Sequence, residues 1–282
     1  MTEWIWLNGE IVPLSEARID VEDRGFQFAD GVYEVVRIYN GKPFTLDRHL
    51  QRLEKSASGI QLPVPVDAAA LTAEIGKLLA RSGVREGMIY LQLTRGPAPR
   101  NHIFPQSKPT LLFYARPLPP AGAPGDGEGV KLLAVPDERW KRCWIKSIAL
   151  LPNVLAKNQA VAAGADEAVF IEHDLVTECS ASNIFAVIGK RLVTHPVGSK
   201  VLLGITRAVL LELAPTAGLE VDERALREEE ARRADELFIT STTREISWVA
   251  RWNDRYIGKG RCGPFTKKLH SALRQQIVRE TA

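Results

Sequence analysis

The sequence predicts an α+β fold in two domains. Short segments of alternating apolar and polar residues recur along the whole chain, amphipathic segments separate them, and a Pro- and Gly-rich stretch interrupts the pattern. Alternation with a period of two is typical of strands, whereas apolar residues three and four apart share one helix face. The Pro/Gly stretch is too dense in breakers to be a regular element. We therefore expect a small domain over residues 1–118, a linker over 119–127 and a large domain over 128–282.

Composition and net charge exclude several classes of protein and of binding partner. The chain has 282 residues, of which 45% are hydrophobic and 25% charged, and its net charge is +3. These values are ordinary for globular proteins and exclude a disordered, collagen-like or coiled-coil chain. A charge this small predicts neither a nucleic-acid partner nor a polybasic contact with a membrane.

The sequence also disfavours membrane and metal-binding classes. No apolar run approaches the roughly 20 residues that cross a bilayer, and residues 1–9 lack the features of a signal peptide. We therefore predict a cytoplasmic protein with no membrane partner. Cys143, Cys179 and Cys262 are too scattered for a disulfide framework or a paired zinc site, and the five histidines are dispersed, so no metal is expected.

The small domain is predicted to begin with two hairpins. The first turns at Asn8-Gly9, the strongest two-residue turn signal. The second alternates over 32–38 and returns after a turn at 39–42. Two further strands are predicted at 88–94 and 110–115.

Two helices are predicted in the same domain. The segment 46–58 places its leucines on one face. A second helix over 68–81 has Asp67 as a suitable N-cap and Gly83 as a suitable residue to end it.

The large domain is predicted to mix short strands with helices. Alternating segments bounded by turn residues indicate the strands, and apolar residues at helical spacing indicate the helices. The predicted strands are 130–136, 167–172, 175–178, 183–188, 191–194, 219–221, 236–240 and 246–251. The predicted helices are 149–163, 205–214, 226–234 and 264–280.

Two clusters in the large domain have the chemistry of a phosphate site. Gly204-Ile205-Thr206 opens a predicted helix, whose N-terminus offers free N–H groups and a positive partial charge to an anion. Thr240–Thr243 supplies four consecutive hydroxyls at the end of a strand. Taken alone, Thr206 is more typical of a helix cap and the hydroxyl run of a polar strand end. The sequence contains none of the common nucleophile, metalloprotease or nucleotide-loop motifs in a suitable context.

Three longer stretches carry a family resemblance: Asp23–Glu34, Trp140–Ser147 and Val176–Phe185. Together they resemble the fold-type IV pyridoxal-phosphate enzymes, the group that contains D-amino acid transaminase, branched-chain aminotransferase and aminodeoxychorismate lyase. The matches run nearly from end to end of the chain and in the family's order. The resemblance implies the two-domain architecture of fold type IV and pyridoxal 5′-phosphate as the cofactor.

The resemblance also implies two catalytic residues. Lys146 lies where the family keeps its Schiff-base lysine, which activates the cofactor aldehyde and then carries a proton between the substrate Cα and the cofactor C4′. Glu178 corresponds to the acid that faces the ring nitrogen and keeps it protonated. Outside this resemblance, Lys146 would be an ordinary surface lysine and Glu178 an exposed residue at a strand end.

Four further residues are implied to hold the cofactor phosphate. Arg52 matches the family's phosphate arginine, whose guanidinium suits phosphate geometry. Ile205 and Thr206 would add N–H and hydroxyl donors, and Thr242 another hydroxyl. A single ligand therefore accounts for both clusters of possible phosphate ligands.

The substrate carboxylate is expected to bind at the loop after the 88–94 strand. D-amino acid transaminases have an Arg-x-His pair in this loop, which traps the carboxylate together with a tyrosine. Arg100, His102 and Tyr33 fit that pattern. Because the family's loop reaches into the site of the neighbouring subunit, the resemblance implies a homodimer.

The predicted activity is transfer of an amino group from a D-amino acid, such as D-alanine or D-glutamate, to 2-oxoglutarate or pyruvate. The resemblance is closest to the D-amino acid members of the family. The alternatives with the same fold are a branched-chain L-amino acid aminotransferase, an (R)-selective amine transaminase and an aminodeoxychorismate lyase. An alternative of another class is a non-catalytic carrier of pyridoxal phosphate, against which the presence of both Lys146 and Glu178 argues.

One stretch departs from the family pattern. Where the family usually has Thr-Glu-Gly-Ser-Ser-Ser-Asn, this chain has Cys179 in place of the glycine and Ala181 in place of the middle serine. Cys179 is expected to pack as a small buried hydrophobe with no catalytic role. Both changes leave the identity of the substrate open.

Overall fold

The computed structural model describes residues 3–125 and 127–282, which form two compact units. The first unit comprises the described residues up to Pro120 together with Ile145–Ala149 and Glu280–Ala282. The second comprises Ala121–Trp144 and Leu150–Arg279. Lys146 therefore belongs to the segment that is grouped with the first unit.

A six-stranded sheet forms the centre of the first unit, with the strand order β2-β1-β6-β5-β3-β4 and antiparallel pairing throughout. The predicted turn at Asn8-Gly9 is confirmed, with positive φ angles of 50° and 111° that these residues tolerate. The strands are β1 Trp4–Leu7, β2 Glu10–Pro13, β3 Gly31–Tyr39, β4 Lys42–Pro43, β5 Gly87–Thr94 and β6 Thr110–Pro117.

Two long helices cover this sheet and a short one precedes β3. Helix α2 (Leu46–Gly59) packs on β3, and α3 (Ala68–Ser82) packs on β1 and β6. The predicted ends of α3 are confirmed: Asp67 Oδ1 accepts from the Ala70 N–H at 2.8 Å, and Gly83 ends the helix with a φ of 69°. The sequence did not predict helix α1 (Arg24–Phe28), because five residues are too few for a helical periodicity.

A ten-stranded mixed sheet forms the second unit, in the order β12-β11-β10-β14-β15-β7-β8-β9-β13, with β16 paired to β15. The pairs β7–β8, β7–β15 and β11–β12 are parallel and the other pairs antiparallel. The strands are β7 Val130–Pro136, β8 Glu167–Glu172, β9 Leu175–Cys179, β10 Asn183–Ile188, β11 Arg191–Thr194, β12 Glu220–Glu223, β13 Leu226–Arg227, β14 Glu236–Ser241, β15 Glu245–Trp252 and β16 Arg255–Tyr256.

The helices of this unit agree with the prediction except in one place. The predicted helix over 226–234 is wrong: Leu226 and Arg227 form strand β13 on β9, and the helix begins only at Glu228. Leu226 is buried in the sheet core, so tertiary packing overrides the local helical pattern. The helices are α4 Leu151–Ala162, α5 Ile205–Leu213, α6 Glu228–Arg232 and α7 Pro264–Thr281, with a 3₁₀ helix at Ala214–Ala217.

Cys179 packs as predicted for a small hydrophobe. It is buried in the core of the second unit beside Val169 and Ile184, and burial raises the pKa of its thiol well above the usual value. In the described part of the chain, every helix is too short or too polar to span a membrane.

Asp23 fixes the start of α1. Its Oδ1 accepts from the Gly25 N–H at 2.8 Å, and its Oδ2 accepts from the hydroxyls of Thr94 at 3.0 Å and Thr110 at 2.7 Å. All three oxygen-bearing side chains are buried. Asp23 therefore joins α1 to the ends of β5 and β6.

We predict that Asp23→Ala lowers the free energy of unfolding by about 3 kcal/mol, because it removes a cap and leaves two buried hydroxyls without an acceptor. The exposed cap Asp67 is the control, and Asp67→Ala is expected to cost about 1 kcal/mol. Chemical denaturation of both variants beside the wild type measures the difference. Equal losses at the two positions would contradict the structural role given to Asp23.

Candidate active site

The backbone of Lys146 is held against β3 and α2. The Tyr33 N–H donates to the Lys146 carbonyl at 2.9 Å, and the Lys146 N–H donates to the buried hydroxyl of Ser56 at 3.1 Å. The Lys146 Nζ lies 4.2 Å from the centre of the Tyr33 ring. This amine makes no hydrogen bond or ion pair with any of the described residues. A pinned backbone and an uncommitted amine are what a lysine nucleophile needs.

Arg52 is bound by a buried carboxylate. Its Nε and Nη2 donate to the Oε1 and Oε2 of Glu34 at 2.7 and 2.8 Å, and the Nδ1 of His49 lies 2.7 Å from Glu34 Oε2. Burial alone would raise the pKa of Glu34, but the charge and hydrogen bonds of Arg52, with those of His49, lower it to about 2. Burial lowers the pKa of His49, and Arg52 and Lys146 lower it further against the opposing effect of Glu34. The cluster therefore fixes the orientation of the Arg52 guanidinium.

The sequence analysis missed Glu34 and His49. Glu34 lies between Val32 and Val36 on the buried face of β3, and its side chain is 0% exposed. A charged residue in the apolar phase of a predicted strand was the available signal, because such a residue must be paired. Nothing in the sequence marked His49, whose role depends on where α2 packs.

Within one chain, the three residues predicted to bind the substrate carboxylate do not all contact one another. Tyr33 stacks on Tyr90 and lies below the Lys146 amine. Arg100 and His102 contact the ring of Phe28, at the end of α1, and neither forms a hydrogen bond or ring contact with Tyr33 in the described structure.

In the second unit, Glu178 lies at the end of β9 with both carboxylate oxygens bound. Its Oε1 accepts from Arg139 Nη1, and its Oε2 accepts from Asn183 Nδ2 at 3.1 Å and from the Leu202 N–H at 3.0 Å. Burial raises the pKa of Glu178 to about 7, although Arg139 and the Leu202 N–H act in the opposite direction.

Arg139, which the sequence analysis missed, is shared between two carboxylates. Its Nε and Nη2 donate to Asp137 Oδ1 and Oδ2 at 2.9 and 2.7 Å, and its Nη2 also donates to the Lys200 carbonyl at 3.0 Å. Thr177 donates its hydroxyl to Asp137 Oδ2 at 2.8 Å. Asp137, Arg139 and Glu178 carry two negative charges and one positive charge when ionised. A cation beside Glu178 would balance this charge.

The N-terminus of α5 lies close to the same cluster. Gly204 is its N-cap and has no side chain, so Thr206 is the second residue of the helix and not its cap. A Cβ at Gly204 would lie 2.1 Å from Asn183 Oδ1, the amide whose Nδ2 binds Glu178. The free N–H groups of this first turn, including those of Ile205 and Thr206, are suited to an anion.

The hydroxyl run lies where β14 turns into β15. Thr240 pairs with Asn183 across β14 and β10, and its buried Oγ1 has no hydrogen-bond partner among the described residues. Thr242 lies in the turn itself and is half-buried. An unpaired buried hydroxyl costs free energy unless a ligand or water pairs with it.

These observations test whether pyridoxal phosphate would suit the residues present. A buried carboxylate with excess negative charge suits a protonated ring nitrogen, and the uncapped start of α5 suits a phosphate. The uncommitted Lys146 amine suits an aldehyde. The residues of each unit therefore fit the chemistry of this cofactor.

The pKa of Glu178 gives a testable dependence of stability on pH. Because its folded pKa lies above its unfolded value of 4.5, the folded state keeps a proton that the unfolded state loses. Glu178 therefore makes the ligand-free protein less stable as the pH rises from about 4.5 to 7. We predict that Glu178→Gln removes this loss, so that the variant gains about 2–3 kcal/mol relative to the wild type between pH 5 and pH 8.

Chemical denaturation of the ligand-free wild type and variant at the two pH values measures this gain. Glu172→Gln is the control, because Glu172 is not fully buried and its pKa is lowered by its hydrogen bond to Lys200. If the free energies of unfolding of the wild type and Glu178→Gln differ by the same amount at both pH values, the Glu178 carboxyl is already ionised at pH 5 in the folded protein.

Comparison with known proteins identifies the family. The model of the family described as amino-transferase class IV matches residues 31–252. The D-alanine aminotransferase of Bacillus licheniformis is 42% identical over 279 residues, which cover 99% of this chain and 98% of that protein.

Solved structures agree with this match. The branched-chain amino acid aminotransferase of Escherichia coli has a TM-score of 0.91 at 26% identity, covering 100% of this chain and 97% of that one. The T.th. branched-chain amino acid aminotransferase complexed with N-(5′-phosphopyridoxyl)-L-glutamate has a TM-score of 0.89 at 27% identity, covering 100% and 96%. The fold is thus that of a fold-type IV aminotransferase, and the chain belongs to the class IV aminotransferase family.

Proposed function

We propose that this protein is a pyridoxal-phosphate-dependent transaminase that moves an amino group from a D-amino acid to a 2-oxo acid. The donor would be D-alanine or D-glutamate, and the acceptor 2-oxoglutarate or pyruvate. The observation that carries the proposal is the uncommitted Lys146 amine on its pinned backbone, 4.2 Å from the Tyr33 ring, in a class IV chain. The 42% identity to a D-alanine aminotransferase supports the choice of D-amino acids.

We propose that six residues bind the cofactor. Lys146 would hold it covalently, Glu178 would face its ring nitrogen, and Arg52, Ile205, Thr206 and Thr242 would bind its phosphate. When bound, pyridoxal phosphate withdraws electrons from the substrate Cα. Glu34 occupies the Nε–Nη2 edge of the Arg52 guanidinium and so holds the side chain in a fixed orientation.

The Lys146 amine has a second proposed role. Once the substrate amine has replaced it, Nζ would accept the proton that leaves the substrate Cα. The Tyr33 ring would stabilise the ammonium that results, since a cation at this distance from an aromatic face is attracted to it.

We propose that Tyr33 of one copy and Arg100 and His102 of a second copy bind the substrate carboxylate, so that the working form is a homodimer. The absence of a described contact between Tyr33 and the other two within one chain is consistent with this arrangement. The cytoplasmic location stays a prediction.

A branched-chain L-amino acid aminotransferase is the second candidate, because solved enzymes of that name share this fold at TM-scores of 0.91 and 0.89. It would bind the carboxylate differently and would not depend on Arg100. The aminodeoxychorismate lyase has support of the same kind, because a solved putative 4-amino-4-deoxychorismate lyase shares the fold at a TM-score of 0.84 and 26% identity. The (R)-amine transaminase and the non-catalytic carrier have only the fold and the fit to the cofactor in their favour.

We predict that D-alanine and D-glutamate each bleach the visible absorption of the protein loaded with pyridoxal phosphate, whereas L-leucine and (R)-1-phenylethylamine do not. The reason is that Arg100 and His102 bind only donors that present a carboxylate on the correct side. Absorption spectra recorded after each addition provide the measurement. Bleaching by L-leucine alone would favour the branched-chain enzyme, and bleaching by the amine alone would remove the role given to Arg100 and His102.

We predict that Lys146→Ala lowers kcat for D-alanine by roughly 10²–10⁴-fold, since it removes both the covalent attachment and the proton acceptor. The matched control is Lys141→Ala, because Lys141 is an exposed lysine in the same stretch. Steady-state kinetics of both variants and the loss of bound-cofactor absorbance test the role of Lys146. Equal activity of the two variants would show that another group performs it.

A further inference from the structure

The loop between β5 and β6, residues 95–109, is attached at its base to α1 and to the segment just before it. The Arg24 N–H donates to the Gly96 carbonyl at 3.1 Å, and the Ala98 N–H donates to the Glu22 carbonyl at 3.2 Å. The Arg24 guanidinium also donates through Nη1 to the carbonyl of Asn101, the residue between Arg100 and His102. The backbone of the loop is therefore fixed at its middle as well as at its base.

The side chains on either side of Asn101 both contact one ring. The Cζ of Arg100 lies 4.8 Å from the centre of the Phe28 ring, and the His102 ring lies 5.4 Å from it, tilted by 48°. Neither Arg100 nor His102 forms a hydrogen bond or ion pair with a described residue. Phe28 therefore provides the aromatic contact that restricts both side chains.

Phe28 is itself held in place. It is the last residue of α1, whose first turn is capped by Asp23. Arg24 lies 4.7 Å from the same ring and is ion-paired to Asp30 at 2.8 Å, and Arg95 binds both oxygens of Asp30 at 2.8 and 3.0 Å. Arg24 is thus ion-paired within the chain, whereas Arg100 forms no ion pair with a described residue.

An arginine held over an aromatic ring is prepared to bind a carboxylate. The contact of Arg100 with Phe28 is made through Cζ, and no described residue accepts a hydrogen bond from its N–H donors, which a carboxylate could accept. A free arginine side chain loses much rotamer freedom when it binds, and restricting it beforehand reduces that loss.

We propose that Phe28 is a positioning residue that orients Arg100 and His102 toward the substrate carboxylate. The inference rests on the proposed function of these two residues, and it assigns to Phe28 the preorganisation of the pair. The Phe28 ring would not touch the substrate. Its effect would appear in the binding of carboxylates and not in the chemical step.

The test compares Phe28→Leu with Phe26→Leu in the holoenzyme. Phe26 lies in the same short helix, is 80% exposed and makes no described ring contact, so it controls for the loss of an aromatic residue. We expect Phe28→Leu to raise KM for D-alanine roughly 3- to 10-fold with kcat within about 2-fold of the wild type. Phe26→Leu should leave both unchanged, and Phe28→Tyr, which keeps the ring, should restore the wild-type KM.

Calorimetric titration with D-lactate separates this inference from the proposed function, because D-lactate has the carboxylate and lacks the amine. Phe28→Leu should weaken its binding by the same factor as the KM rises, and Arg100→Ala should weaken it at least as much. If D-alanine is not a substrate, the proposed function fails, but the D-lactate titration still tests Phe28.

Unchanged D-lactate affinity in Phe28→Leu would overturn the inference while Arg100→Ala could still support the site. A fall in kcat in Phe28→Leu that is not rescued by Phe28→Tyr would also overturn it, because it would indicate a general structural role. Thermal unfolding confirms that each variant is folded, and Phe28→Met replaces Phe28→Leu in the same comparison if the leucine variant is not.

Discussion

The pairing of buried carboxylates with arginines is the interaction on which the candidate site depends. A charge removed from water is strongly unfavourable unless a partner and further hydrogen bonds compensate it. In the first unit, Glu34 binds Arg52 and Asp30 binds Arg24 and Arg95. In the second unit, Arg139 joins Asp137 to Glu178. The proposed phosphate arginine and the proposed ring-nitrogen acid are each oriented by one of these pairs before a ligand arrives.

Pairing with an arginine is accompanied by opposite pKa shifts at two buried carboxyls. Glu34 has a guanidinium bound to both of its oxygens and a histidine beside it, and its pKa falls to about 2. Glu178 shares its arginine with Asp137, and its pKa rises to about 7. Burial acts the same way on both, so the neighbouring charges decide the direction. Arg52 donates two hydrogen bonds to Glu34, whereas Arg139 is shared with Asp137, whose own charge raises the pKa of Glu178. Glu34 is thus a permanent anion that fixes Arg52, whereas Glu178 can still gain stability from a cationic ligand.

Local patterns predicted most of the fold, and tertiary contacts explain what they missed. The alternation of apolar and polar residues, together with turn residues, identified the strands, because these signals are local and can be recognised in a short segment of sequence. The error at Leu226 arose because pairing with β9 extends two residues that a helical pattern would include. The site residues Lys146, Glu178 and Arg52 were recognisable from a family resemblance, and their roles stay predictions. Arg139 was not recognisable, because its importance comes from Asp137 and Glu178 meeting around it.

The fold alone does not choose the substrate. A branched-chain aminotransferase shares the architecture at a TM-score of 0.91, yet the chain is far more similar in sequence to a D-alanine aminotransferase. We therefore expect the difference in substrate between such enzymes to lie in loops, whose conformation the shared sheets do not determine. The loop over residues 95–109 is such a segment, because Arg24 and Phe28 hold it through contacts that need no regular structure. With the roles proposed for Arg100 and His102, the choice of substrate would depend on a few residues around the Phe28 ring and not on the two sheets.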